Sequence, residues 1–129
     1  MEKLDDLQRA LREKQLELEQ LEDDYYNHSN SISEQFCELD SRRSELEALL
    51  QETYEATNYS LRQDDVINEE SFHLMNQIIE SFQIELDTEY DNERRNLLDL
   101  EEERKQTYVK ERYAIEQTLE EIQKEKRQL

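Results

Sequence analysis

Glu70-x-x-His73 is the first spacing in this chain that could do chemistry. On a helix, a Glu/His pair three residues apart projects two metal ligands from one face, as in di-iron carboxylate bundles. Such a centre needs a second pair and two further inward glutamates. The other histidine, His28, has no glutamate three residues before it. One such pair arises by accident in an acidic helical protein, so neither a metal nor a cofactor is expected. Cys37 is the single cysteine. To act as a nucleophile it would need a base beside it in a pocket. Its heptad position faces outward, and one cysteine cannot form an internal disulfide framework. The many carboxylates are spread over helix surfaces, which is not how general acids and bases are tuned. No catalytic residue is assigned and an enzyme is not expected.

The elements that would carry these residues follow from composition. None of the 129 residues is Gly or Pro, 40% are charged and 34% are hydrophobic. Tight turns, hairpins and phosphate-cradling loops rely on the two missing residues. Long helices do not.

Leu4, Leu11, Leu18, Tyr25, Ile32, Leu39 and Leu46 are spaced by seven without a miss. At the companion positions Leu7, Leu21, Leu49 and Ala56 alternate with Lys14, His28, Gln35 and Arg42. This is a heptad seam with a compromised second position. After Asp64-Asp65 the pattern restarts, with Phe72, Met75, Ile79, Phe82 and Leu86 at 3-4 spacing. The step from Leu97 to Tyr108 is eleven residues, a stutter that locally unwinds a supercoil.

The fold class read from these spacings is all-α: a long antiparallel, coiled-coil-like helical hairpin forming one domain over 1–129. The first arm covers about 3–61, the turn about 62–65 and the second arm about 66–127, with Asp64 or Asp65 capping the second helix. Residues 27–33 have poor helix propensity. A fold about residue 63 sets them against 93–99, beside the stutter. A kink or polar layer is expected near 27–33 and 90–100, the alternative being a break into shorter bundled helices. The unbroken register of Tyr25, Ile32 and Leu39 favours continuity. Pairs such as Glu101 with Lys105 and Glu120 with Lys124 would support the exposed faces.

The formal charge is −19, from 35 acidic and 16 basic residues. DNA, RNA and anionic membranes would be repelled, so neither nucleic acid nor direct membrane binding is expected. No apolar run approaches the length that spans a bilayer, and the first residues lack the apolar core of a secretory signal. A cytoplasmic chain is expected, reaching any membrane machine only through partners.

Between residues 45 and 93 lie fourteen acidic residues and one basic one, Arg62. The same region is unusually apolar: ten of the twenty-one residues from Val66 to Leu86 are hydrophobic. On a helix eight of them, Ile67, Phe72, Leu74, Met75, Ile78, Ile79, Phe82 and Leu86, spread over an arc of about 160°, wider than one partner helix covers. Leu46, Leu49, Leu50, Tyr54, Ala56 and Leu61 widen the facing arm too. The excess predicts a partner surface formed by Leu50, Tyr54, Tyr59, Ile67, Phe72, Leu74, Met75, Ile78, Ile79 and Phe82. Tyr59 is included because tyrosine combines a large ring with a hydrogen-bonding tip.

The second arm carries Asn92-Glu93-Arg94-Arg95 and the charged run from Leu100 to Tyr113, with Arg104, Lys105, Tyr108, Lys110 and Arg112. It resembles the C-terminal helix of the small acidic α-helical targeting proteins encoded beside LXG toxins, which act in type VIIb secretion. Size, acidity and two-arm layout agree across the whole chain. The resemblance implies a targeting chaperone or adaptor that binds the helical N-terminal domain of an LXG toxin, together with a second small helical protein, and helps deliver the toxin for export. Some members of that group carry Phe-x-x-x-Asp near the C-terminus. Here the match, Phe36 to Asp40, lies in the first arm, and the Trp-x-Gly turn of related secreted proteins is absent. A targeting role therefore fits better than an exported one. The alternative is a homodimeric coiled-coil scaffold or stalk, such as those of type III secretion, burying the same apolar surface on a second copy.

Overall fold

The computed structural model describes residues 2–63 and 68–129. The chain is an all-α helical hairpin of two helices, α1 (Glu2–Gln63) and α2 (Glu69–Arg127). Their 62 and 59 residues are supplied by a sequence with no helix breaker. No described residue has a positive φ. α1 runs without interruption through 27–33, and α2 through 90–100.

The second helix is capped differently from expectation. Asn68 accepts the Glu70 backbone N–H on its side-chain oxygen at 3.0 Å. Its carbonyl accepts the Ser71 and Phe72 N–H groups at 3.2 and 3.4 Å. A short side-chain acceptor at the N-cap satisfies N–H groups that have no partner within the helix. Of the expected turn, Arg62 and Gln63 belong to α1; Asp64 and Asp65, with Val66 and Ile67 of the expected second arm, lie outside the described residues, and α2 begins at Glu69. At its C-terminus α2 carries Lys124, Lys126 and Arg127 in the last turn, where cations favour the negative end of the helix dipole.

The chain divides into two compact units, the first from Met1–Ser33 with Leu98–Leu129, the second from Glu34–Leu97. In the first unit Leu7, Ile32 and Ile115 are buried, with Leu11, Leu18, Leu21, Leu119 and Ile122 half-buried around them. Tyr25 stacks on Tyr108 with ring centroids 4.1 Å apart and planes within 9°. That antiparallel pairing sets 27–33 against 100–106, not against 93–99. Arg112 donates to the Tyr108 hydroxyl at 2.8 Å and to Glu116 at 2.9 Å, and lies 3.6 Å from Glu22 of α1. These hydrogen bonds, that to Glu116 first, hold its guanidinium pKa above the ordinary value.

In the second unit Leu39 and Met75 are buried, between half-buried Phe36, Leu50, Tyr54, Phe72, Ile79 and Leu86. Beside this apolar stretch sits a polar clamp. Arg43 donates to Asp87 across the seam at 2.8 Å and to Glu47 along α1 at 3.0 Å. Its guanidinium lies 4.3 Å from the centre of the Tyr90 ring, a cation–π distance. Tyr90 donates to Asp40 at 2.6 Å. Arg42 donates to Glu93 at 3.1 Å.

The inward face of α1 is not the one read from the heptads throughout. Leu7, Lys14 and Leu21 all turn inward as companions of the leucine line. Beyond Tyr25 the companions move one residue on. Ser29, Phe36, Arg43, Leu50 and Thr57 are sheltered, whereas His28, Gln35, Arg42, Leu49 and Ala56 are exposed. Two consecutive steps of four, Leu21 to Tyr25 and Tyr25 to Ser29, are how an α-helix absorbs drift against a strict seven-residue repeat.

Candidate protein-binding groove

The shift of register leaves part of the apolar surface without a partner. In the second unit an open groove of about 400 Å³ runs between the helices. α1 contributes Leu46, Leu49, Leu50 and Thr53; α2 contributes Ile78, Ile79, Phe82 and Leu86, with Glu85 and Glu89. Leu46 is 49% exposed, Leu49 58%, Ile78 47% and Phe82 56%. Four large apolar side chains on one face of a two-helix unit are thus about half in water. The reason is geometric. Leu50, Ile79 and Gln83 occupy the seam, and their neighbours at Leu49, Ile78 and Phe82 are rotated out of it by about 100° per residue.

Of the ten residues expected to meet a partner, Leu50, Ile78, Ile79 and Phe82 line this groove. Met75 is buried in the seam, and Phe72 and Tyr54 are half-buried. Their surface goes mainly to holding the two helices together. Leu74 and Tyr59 are exposed but are not among the lining residues. Ile67 lies outside the described residues. The sequence pattern marks Leu46, Leu49 and Leu86 as apolar without assigning them to the partner surface, and it gives no signal for Glu85 and Glu89. The i, i+4 row of Leu74, Ile78 and Phe82 was the available signal, since it stands beside the seam residues Met75, Ile79 and Gln83.

A larger depression of about 580 Å³ in the first unit is different in kind. Lys14, Glu17, Gln20, Asp24, Glu111 and Thr118 dominate its walls, and Lys14 is already paired with Glu17 at 2.9 Å. Its lining is more polar than that of the groove.

His73 lies 3.2 Å from the Gln77 side chain along its own helix, and both are exposed. Among the described residues no group of three or more His, Cys, Asp or Glu is placed to hold a metal ion. Cys37 is exposed. Two of the perturbed titratable groups belong to the polar clamp. The Tyr90 hydroxyl is held above its usual pKa, first by its hydrogen bond to Asp40, then by desolvation and the Asp40 charge. The Arg43 guanidinium is raised chiefly by its bond to Glu47. Both groups are engaged in holding helices together.

No described helix is long and apolar enough to cross a membrane. No family model matches this chain, and neither a curated protein nor a solved structure shows significant similarity to it.

Proposed function

We propose that this chain is a non-enzymatic adaptor whose second unit receives a helix of a partner protein. One observation carries the reading: Leu46, Leu49, Ile78 and Phe82 form an apolar groove that their own chain leaves half in water. Two antiparallel helices present ridges at i, i+3 and i+4 spacing, and a third helix fills the groove between them. A second copy is the poorer occupant. Residues 45–93 carry fourteen acids against one base, so a copy would bring the same negative rim to the contact.

The resemblance of the second arm to LXG-associated targeting proteins names a candidate. The partner helix then belongs to the N-terminal helical domain of an LXG toxin, bound in the cytoplasm and handed with a second small helical protein to a type VIIb secretion machine.

Co-expression with such a domain encoded nearby tests both levels. The adaptor reading expects a stable complex with the wild-type chain and none with Phe82→Glu, at unchanged helicity by circular dichroism. A tight homodimer in sedimentation experiments, dissolved by the same substitution, would instead establish the scaffold.

A further inference from the structure

Glu85 and Glu89 are the two carboxylates that line the apolar groove, one helical turn apart on α2. Neither takes part in a salt bridge or a side-chain hydrogen bond among the described residues. The cations that could reach this part of the unit are committed elsewhere. Arg43 is held by Asp87 and Glu47, Arg42 by Glu93. Arg62, the one basic residue between 45 and 93, bonds Asn58. Arg94 and Arg95 make no salt bridge with either glutamate among the described residues. An apolar groove is thus edged by two exposed carboxylates that form no salt bridge among the described residues.

We propose that the groove takes a basic amphipathic helix: one with an apolar stripe at heptad spacing, flanked by arginine or lysine residues that lie over Glu85 and Glu89. This rests on the adaptor reading above and specifies its partner's chemistry. Apolar burial in the groove supplies affinity. The glutamate pair supplies selection, because an acidic helix would bring like charge against an edge whose neighbouring Arg42 and Arg43 are already paired with other carboxylates. A second copy presenting its own acidic stretch of residues 45–93 is disfavoured at the site on the same ground.

Fluorescence anisotropy with two labelled synthetic peptides tests this. Both are helical, about 18 residues long, with leucine at heptad a and d positions. One has arginine at the flanking positions and the other glutamate. The wild-type chain is expected to bind the arginine peptide at least about tenfold more tightly, a ratio equal to about 1.4 kcal/mol. Glu85→Gln with Glu89→Gln should level the two affinities, and Glu85→Lys with Glu89→Lys should reverse their order. Both sites are exposed, so the fold is expected to survive either pair of changes. If the order is the same in wild type and the lysine variant, the charge inference is overturned while the groove reading stands. If Phe82→Glu binds the arginine peptide as well as wild type does, the groove itself is wrong and both readings fall.

Discussion

Tyr90 donates its phenolic proton to Asp40 across the two helices of the second unit, at 2.6 Å, beneath the Arg43 guanidinium. The bond requires a protonated tyrosine, which is why the hydroxyl resists ionisation there. A group whose folded pKa is raised gives its stabilisation in full below its unfolded pKa and loses it as pH rises through the folded one. For tyrosine that loss begins near pH 10 and continues above it. Thermal melts of wild type and Tyr90→Phe, followed by circular dichroism from neutral pH upward, should show a difference that shrinks above pH 10. The comparison isolates Tyr90 from the other six tyrosines, which both proteins share. A difference that stays constant to the highest pH would show that the hydroxyl contributes nothing to the clamp.

Arg43 and Arg42 are neighbours in sequence but unequal in role. Arg43 bridges α1 to α2, pairs along its own helix and covers an aromatic ring. Arg42 makes one exposed pair with Glu93. Exposed pairs contribute little and are screened by salt. Arg43→Ala should therefore lower the melting temperature clearly more than Arg42→Ala, and Arg43→Lys should fall between Arg43→Ala and wild type, because lysine keeps the charge without the planar fork. Equal melting temperatures for the two alanine variants would remove the clamp from the account of stability.

Burial separates the large aliphatic residues of α1 into two kinds. Ile32 and Leu39 are only 4% and 5% exposed. Truncating either to alanine should cost about 2–5 kcal/mol in urea unfolding. Leu49→Ala, in the open groove, should change stability by less than about 0.5 kcal/mol in the free chain. Parity between Leu39→Ala and Leu49→Ala would mean that the groove is filled in solution, for instance by self-association.

The Tyr25–Tyr108 stack invites a double-mutant cycle. With Tyr25→Leu and Tyr108→Leu as the single changes, the coupling should be about 0.5–1.5 kcal/mol, the range for aromatic pairs. Additive effects would imply that each ring packs independently against its aliphatic neighbours.

How much of this was written in the sequence depends on which residues are asked. The absence of Gly and Pro and the line from Leu11 to Leu39 were enough for two long antiparallel helices. The companion line was not legible beyond Tyr25, because polarity misled. Arg43 carries a charge yet turns inward, since its stem buries and its head meets Asp87 and Tyr90. Leu49 is apolar yet turns outward. Gln83 similarly takes a seam position next to Phe82, and its amide donates to Asp87 at 3.2 Å. A heptad count assigns the oilier neighbour to the core, whereas the actual choice is made by the rotation of each helix about its axis.

Intrahelical pairing was legible in kind and not in place. Among the described residues neither Glu101–Lys105 nor Glu120–Lys124 forms, and Arg43–Glu47 and Arg112–Glu116 do. In both cases the arginine also reaches α2 or α1, so the tertiary contact orients the side chain and the local pair follows. The excess of apolar surface near Phe72 to Phe82 was foreseen as a total. Its division between seam and groove needed coordinates, because Met75 and Ile78 are three residues apart and face different surroundings.

The clamp and the groove also constrain how a gene for this chain can change length. One added codon between Arg43 and Leu50 would turn everything beyond it by about 100° relative to Asp87 and Tyr90, moving Leu49 into the seam and Leu50 out. Seven added codons would restore the face, but would slide α1 past its neighbour by about 10 Å. Only an equal gain between Ile79 and Asp87 would bring the two walls of the groove back opposite one another. Insertions and deletions in this stretch should accordingly survive as matched sets of seven, one in each helix, so the two halves of the coding sequence are tied in length as well as in composition.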